Sequence, residues 1–139
     1  MKVKEIMHRA TFVDPEVTAK EAAKIMEDKN ISSVIVGTPE DTIGMFTERD
    51  MLREVVGKGF DPSKAKLIDI MCSKELKDIM CRVITTVSED AEIAEAAERM
   101  MGRYVRHLPV VDGSGKIIGM VSARTIMNAL KYAYMRSKK

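Results

Sequence analysis

Residues 11–26 (TFVDPEVTAKEAAKIM) and 85–100 (TTVSEDAEIAEAAERM) align at an offset of 74. Six of those sixteen positions are identical: Thr11/Thr85, Val13/Val87, Glu21/Glu95, Ala22/Ala96, Ala23/Ala97 and Met26/Met100. With one more residue of offset, Ile43-Gly44-Met45 recurs as Ile118-Gly119-Met120, and Arg49 as Arg124. Upstream, Lys4-Glu5-Ile6-Met7 is matched with Lys77-Asp78-Ile79-Met80. A chain written twice folds as two copies of one unit, and a unit of about 55 residues buries too little surface to stand comfortably alone. The expectation is two copies sharing one core, with repeat 1 at 1–57, a connecting segment at 58–76 and repeat 2 at 77–139.

Within each copy the hydrophobic period changes from helix to strand and back. Thr18-x-x-Glu21 reads as a capping box, opening a helix whose apolar residues Ala22, Ile25 and Met26 fall on one face, with Asn30 as its stop. Val34-Ile35-Val36 and Ile43 to Phe46 read as strands around the turn-rich Gly37 to Asp41. In the second copy, His107 to Val111 and Lys116 to Val121 flank Asp112-Gly113-Ser114-Gly115, a hairpin pattern. A helix follows each hairpin. Its apolar stripe is Met51, Leu52, Val55 and Val56 before Gly57 in the first copy, and Ile126, Met127, Leu130 and Tyr134 in the second. The unit is β-α-β-β-α, which places the chain in the α+β class.

The strand-to-helix junctions carry the chemistry. In G-M-F-T-E-R-D at 44–50, Gly44 lets backbone pass close to a ligand and Thr47 sits where strand meets helix. Such a junction offers amide donors and a positive dipole end to phosphate, while Asp50, one turn on, can accept both hydroxyls of a ribose. The same two residues, three apart, also make an ordinary helix N-cap.

V-S-E-D-A-x-I-x-E-A-A at 87–97, R-H-L-P-V-V-D at 106–112, and the paired motifs G-M-F-T-E-R-D and G-M-V-S-A-R-T at 119–125 together resemble the cystathionine-β-synthase (CBS) domain pair, or Bateman module, over nearly the whole chain. The resemblance implies two intertwined repeats with their small sheets packed together and helices outside, a disk-like homodimer, and clefts between repeats that take AMP, ADP, ATP or S-adenosylmethionine. It implies a stand-alone regulatory module, not an enzyme, that signals to an unknown partner protein; a ligand-independent dimerisation domain is the alternative. By the same resemblance the principal cleft draws on Met45, Thr47, Asp50, Thr85, Val105, Arg106 and His107. A weaker second cleft draws on Thr11, Ile31, Ser32, Ser33, Met120 and Ser122. There the residue matching Asp50 is Thr125, so the hydroxyl partner survives in Ser122 and the carboxylate does not.

Composition narrows the competing classes. Lys and Arg number 23 against 21 Asp and Glu, and aromatic residues are 4% with no Trp, which disfavours a nucleic-acid binder and any base-stacking platform. The excess is local: Arg124, Lys131, Arg136, Lys138 and Lys139 face no acid from 124 onward, leaving 18 against 21, or −3, elsewhere. Cys72 and Cys81 fit neither a redox pair nor a zinc knuckle, and His8 and His107 add no ligand spacing, so no metal is expected. Met26, Met51, Met100, Met101 and Met127 sit at apolar helix spacings and read as core. No signal-peptide core or membrane-length apolar run occurs, and the expected compartment is the reducing cytoplasm.

Overall fold

The computed structural model describes residues 1–71 and 84–138, which form two compact units. The central unit is Thr11–Ile84; the terminal unit joins Met1–Ala10 to Thr85–Lys139. Lys77 to Met80, Cys72 and Cys81 lie outside the described residues.

In the central unit the order is β1 (Phe12–Val13), α1 (Ala19–Lys29), β2 (Ser33–Gly37), β3 (Thr42–Thr47), α2 (Glu48–Asp50) and α3 (Leu67–Met71). The sheet order is β1-β2-β3, with β1 parallel and β3 antiparallel to β2. Val34 and Val36 turn toward α1 and pack with Val13, Ala22, Met26, Phe46 and Val55, whereas Ile35, fully buried, points to the other face of the strand. Thr18 Oγ1 accepts from the Glu21 N–H at 3.2 Å, and Asn30 closes α1 in the left-handed conformation.

The terminal unit repeats the plan with β4 (Val87–Ser88), α4 (Ile93–Arg103), β5 (His107–Val111), β6 (Ile117–Ser122) and α5 (Ala123–Ser137), in sheet order β4-β5-β6. Its core is Val87, Ala96, Met100, Leu108, Val110, Val121 and Ile126, with Val3 from the N-terminal segment.

That segment is a finding of the structure. The Val3 N–H donates to Ala91 O at 2.8 Å, and Ile93 N–H to Met1 O at 3.0 Å. In the central unit Leu67 N–H donates to Val17 O at 2.9 Å, and Ala19 N–H to Ala65 O at 2.8 Å. Ala91 and Ile93 lie 74 residues beyond Val17 and Ala19, so residues 1–7 (MKVKEIM) do for α4 what residues 65–71 (AKLIDIM) do for α1. Each segment supplies an acceptor to the first turn of a helix and one fully buried side chain, Val3 or Leu67. The structural counterpart of Lys4 to Met7 is therefore Ile68 to Met71, and the N-terminal segment docks on the second copy.

Three expectations need correction. The helix after β3 runs from α2 straight into a π-helical segment, Met51–Val56, closed by Gly57 N–H to Leu52 O at 2.7 Å. A Cβ on Gly57 would lie 2.9 Å from Leu52 O, so the wide turn requires glycine there. The apolar stripes are also narrower than the sequence suggests. Val55 is buried but Leu52 and Val56 are 66% and 58% exposed; Ile126 is buried but Met127, Leu130 and Tyr134 are exposed. Each helix lies on its unit through about one residue per turn. Finally, Met26 and Met100 are core and Met51 is half-buried, but Met101 and Met127 are exposed.

Candidate functional site

Thr47 ends β3 in extended geometry (φ −120, ψ 169) and caps the following helix. The Asp50 N–H donates to Thr47 Oγ1 at 3.2 Å, while the Thr47 N–H and hydroxyl donate to Asp50 Oδ2 at 2.9 and 3.0 Å. The pair is a reciprocal capping box, which fixes a carboxylate at the head of a helix. The box engages Oδ2 alone, and Asp50 is half-buried. Glu48 N–H donates to Ser32 O at 3.1 Å and Ser33 pairs with Thr47, so Ser32 and Ser33 border the junction. Met45, opposite Ile35, is half-buried on the same strand as Thr47. Thr11 O accepts from the Ile35 N–H at 2.8 Å, and Ile31 packs at the edge of the core.

The terminal unit builds the same junction with other chemistry. Ser122 (φ −116, ψ 164) accepts from the Thr125 N–H at 3.1 Å, and the two hydroxyls lie 2.9 Å apart. Ala123 N–H donates to Arg106 O at 2.8 Å, as Glu48 does to Ser32. His107 pairs with Ser122, and Pro109 with Met120. Hydroxyls thus stand where the central unit has a carboxylate, which removes the strong acceptor and keeps the fold.

Thr85, Val105, Arg106 and His107 all fall in the terminal unit, while Met45, Thr47 and Asp50 fall in the central one. The structure gathers each set inside its own unit. Burial, together with the positive charge of His8 and Arg106, holds the His107 imidazole below its ordinary value. Arg106 is exposed and Val105 half-buried at the edge of the core.

One asymmetry escaped the sequence reading. Pro109 occupies the position of Ile35 and has no N–H, so the Thr85 carbonyl lacks the strand bond that Thr11 accepts. The proline in R-H-L-P was the available signal. Gly119 also has a reason beyond the hairpin: His8 and Met120 exchange backbone bonds of 3.0 and 2.8 Å, and a Cβ on Gly119 would lie 2.8 Å from Met7 Sδ. Among the described residues no group of three potential metal ligands occurs, and no helix is long and apolar enough to cross a membrane.

Comparison with known proteins places this geometry. The chain is 35% identical over 134 residues to an uncharacterized protein of Methanopyrus kandleri, a match that covers 95% of this chain and 64% of that one. It therefore spans less than two thirds of that relative. A protein with CBS domains from Burkholderia ambifaria has a similar structure, with a TM-score of 0.77, 25% identity, and coverage of 94% and 93% of the two chains. A CBS domain protein from Pyrobaculum aerophilum, solved in complex with AMP, has a TM-score of 0.74 at 20% identity, covering 90% and 89%. The family model described as CBS domain matches twice, at residues 3–57 and 76–132. With both repeats matched and the tandem β-α-β-β-α plan present in each unit, the chain belongs to the CBS-domain family as a tandem pair.

Proposed function

We propose that this CBS pair is a regulatory module which binds an adenosine-containing ligand through the Thr47–Asp50 junction and passes the occupancy on to a partner protein. The observation that carries this reading is the Asp50 carboxylate, pinned through one oxygen by Thr47 and set at the head of a helix. A carboxylate accepts two hydroxyl hydrogens from a ribose and holds them more strongly than a neutral oxygen does. We assign Thr85, Val105, Arg106 and His107 to the same ligand, with Arg106 for its phosphate. The AMP held by the Pyrobaculum protein supports the ligand class. The junction of Ser122 and Thr125, with Thr11, Ile31, Ser32, Ser33 and Met120, forms a weaker second site. The module regulates without catalysing and pairs with a second copy through exposed helical faces that include Leu52 and Val56.

A thermal-shift panel of AMP, ADP, ATP, S-adenosylmethionine and adenosine tests the reading. A ligand at 100 times its Kd adds about 2.7 kcal/mol to stability. No shift with any of the five at millimolar concentration would refute it. The ligand-independent dimerisation domain would then stand, favoured by the same exposed Leu52 and Val56.

A further inference from the structure

Tyr104 works against the fold in two ways. It closes α4 at φ 55, a left-handed backbone that glycine and asparagine adopt readily and a bulky residue does not. It is also 84% exposed, the most exposed large apolar side chain among the described residues. Its phenol makes no hydrogen bond there, and its ring meets no cation or second ring. Backbone strain of this kind persists at ligand contacts, where binding retains a residue that stability alone would not.

The internal repeat supplies the control. At equivalent positions the first copy reads Asn30-Ile31-Ser32-Ser33 and the second Tyr104-Val105-Arg106-His107. The backbone is the same in both. Asn30 and Tyr104 share the left-handed turn, and the carbonyls of Ser32 and Arg106 accept from the Glu48 and Ala123 N–H groups. The side chains differ: tyrosine stands in place of asparagine, and arginine and histidine in place of two serines. Arg106 and His107 belong to the stronger, Asp50 ligand in the proposed function, while Ser32 and Ser33 belong to the weaker site. The enlargement therefore goes with the stronger site, and Tyr104 is the one enlarged residue still without a role. It also stands apart from the surface given to pairing. Leu52 and Val56 lie on the helix after the first hairpin, whereas Tyr104 follows the end of α4 and leads into β5, the strand that begins at His107. A lone ring is no platform for a nucleic-acid strand, but its face is enough to cover one base, which also presents a π-face and needs no hydrogen bond to stack.

We infer that Tyr104 is a further ligand-binding residue, its ring stacking on the adenine base while Asp50 takes the ribose. The inference rests on the proposed nucleotide reading, to which it adds the residue that holds the base.

AMP, ADP, ATP, S-adenosylmethionine and adenosine carry the same base on different tails, and each is titrated by calorimetry against the full chain, Tyr104→Asn and Tyr104→Phe. Every compound that binds the parent should be weakened about tenfold or more by Tyr104→Asn, and by the same factor, since the base is common to all. Tyr104→Phe keeps the ring and should bind within about twofold of the parent. Without ligand, Tyr104→Asn should unfold no more easily than the parent, so that binding and stability move in opposite directions. A Tyr104→Asn chain that binds as the parent does would overturn the inference. So would a Tyr104→Phe chain as weak as Tyr104→Asn, which would assign the contact to the phenol hydroxyl, or a loss confined to the phosphorylated compounds, which would assign it to phosphate. A single-chain mass for Tyr104→Asn in light scattering, where the parent has the mass of two, would give the residue to a second copy and overturn it as well. The nucleotide reading fails separately, in the parent itself, when none of the five compounds binds; this inference fails when the parent binds and the variant binds equally.

Discussion

Tyr104 and Asn30 close equivalent helices in the left-handed conformation, at φ 55 and φ 53, and Tyr104 is 84% exposed. An ordinary residue pays roughly 1–2 kcal/mol for that backbone, while asparagine tolerates it. Tyr104→Asn, which copies the first repeat into the second, should raise stability by about 0.5–1 kcal/mol in urea denaturation. His107 gives a pH dependence of defined sign. Burial first, then the charge of His8 and Arg106, lowers its folded pKa below the ordinary 6.5. As pH falls through that value the unfolded chain takes up a proton that the folded chain still refuses, so stability is full above about 6.5 and declines below it. His107→Gln should flatten the decline between pH 7 and pH 5, measured by chemical denaturation; an unchanged slope would assign it to other groups. The residues of both junctions were readable from sequence because strand-to-helix caps are local. The missing N–H of Pro109 opposite the Thr85 carbonyl was not, because it depends on which residue lies across the parallel pair of β4 and β5.

At the scale of elements, the internal repeat disclosed both hairpins and both long helices to within a residue or two, since periodicity and turn residues are themselves local. Two features were hidden. Residues 65–71 look like linker in composition, and only the bonds to Val17 and Ala19 expose them as part of the first core. Their kinship with residues 1–7 at an offset of 64 was masked by the competing match of Lys77 to Met80. The π-helical segment was hidden because Met51, Leu52, Val55 and Val56 fit a regular amphipathic helix equally well. Leu67→Ala should therefore behave as a core truncation, costing about 2–5 kcal/mol, where a linker position would cost almost nothing. Equilibrium unfolding checks it, and a cost under about 0.5 kcal/mol would remove that segment from the core.

For the molecule as a whole, each unit leaves large apolar side chains facing solvent: Leu52, Val56 and Phe60 in one, Met101 and Met127 in the other. Such surface calls for cover, which in the proposed reading is a symmetric pair of chains. Light scattering should give the mass of two chains with or without nucleotide; a single-chain mass across the accessible concentration range would refute pairing. The nucleotide reading turns on whether Asp50 binds a ligand as well as caps a helix, and Asp50→Asn separates the two roles. The amide oxygen can still accept from Thr47, so the unliganded variant should unfold close to the parent. Loss of charge-assisted hydrogen bonds to the ribose, worth roughly 1.5–3 kcal/mol, should weaken binding by about ten- to a hundredfold. Titration calorimetry with the adenosine ligand that gives the largest thermal shift should thus show one tight site per chain in the parent, and that site weakened to this extent in Asp50→Asn. Two equal tight sites per chain, or a variant that binds as the parent does, would contradict it.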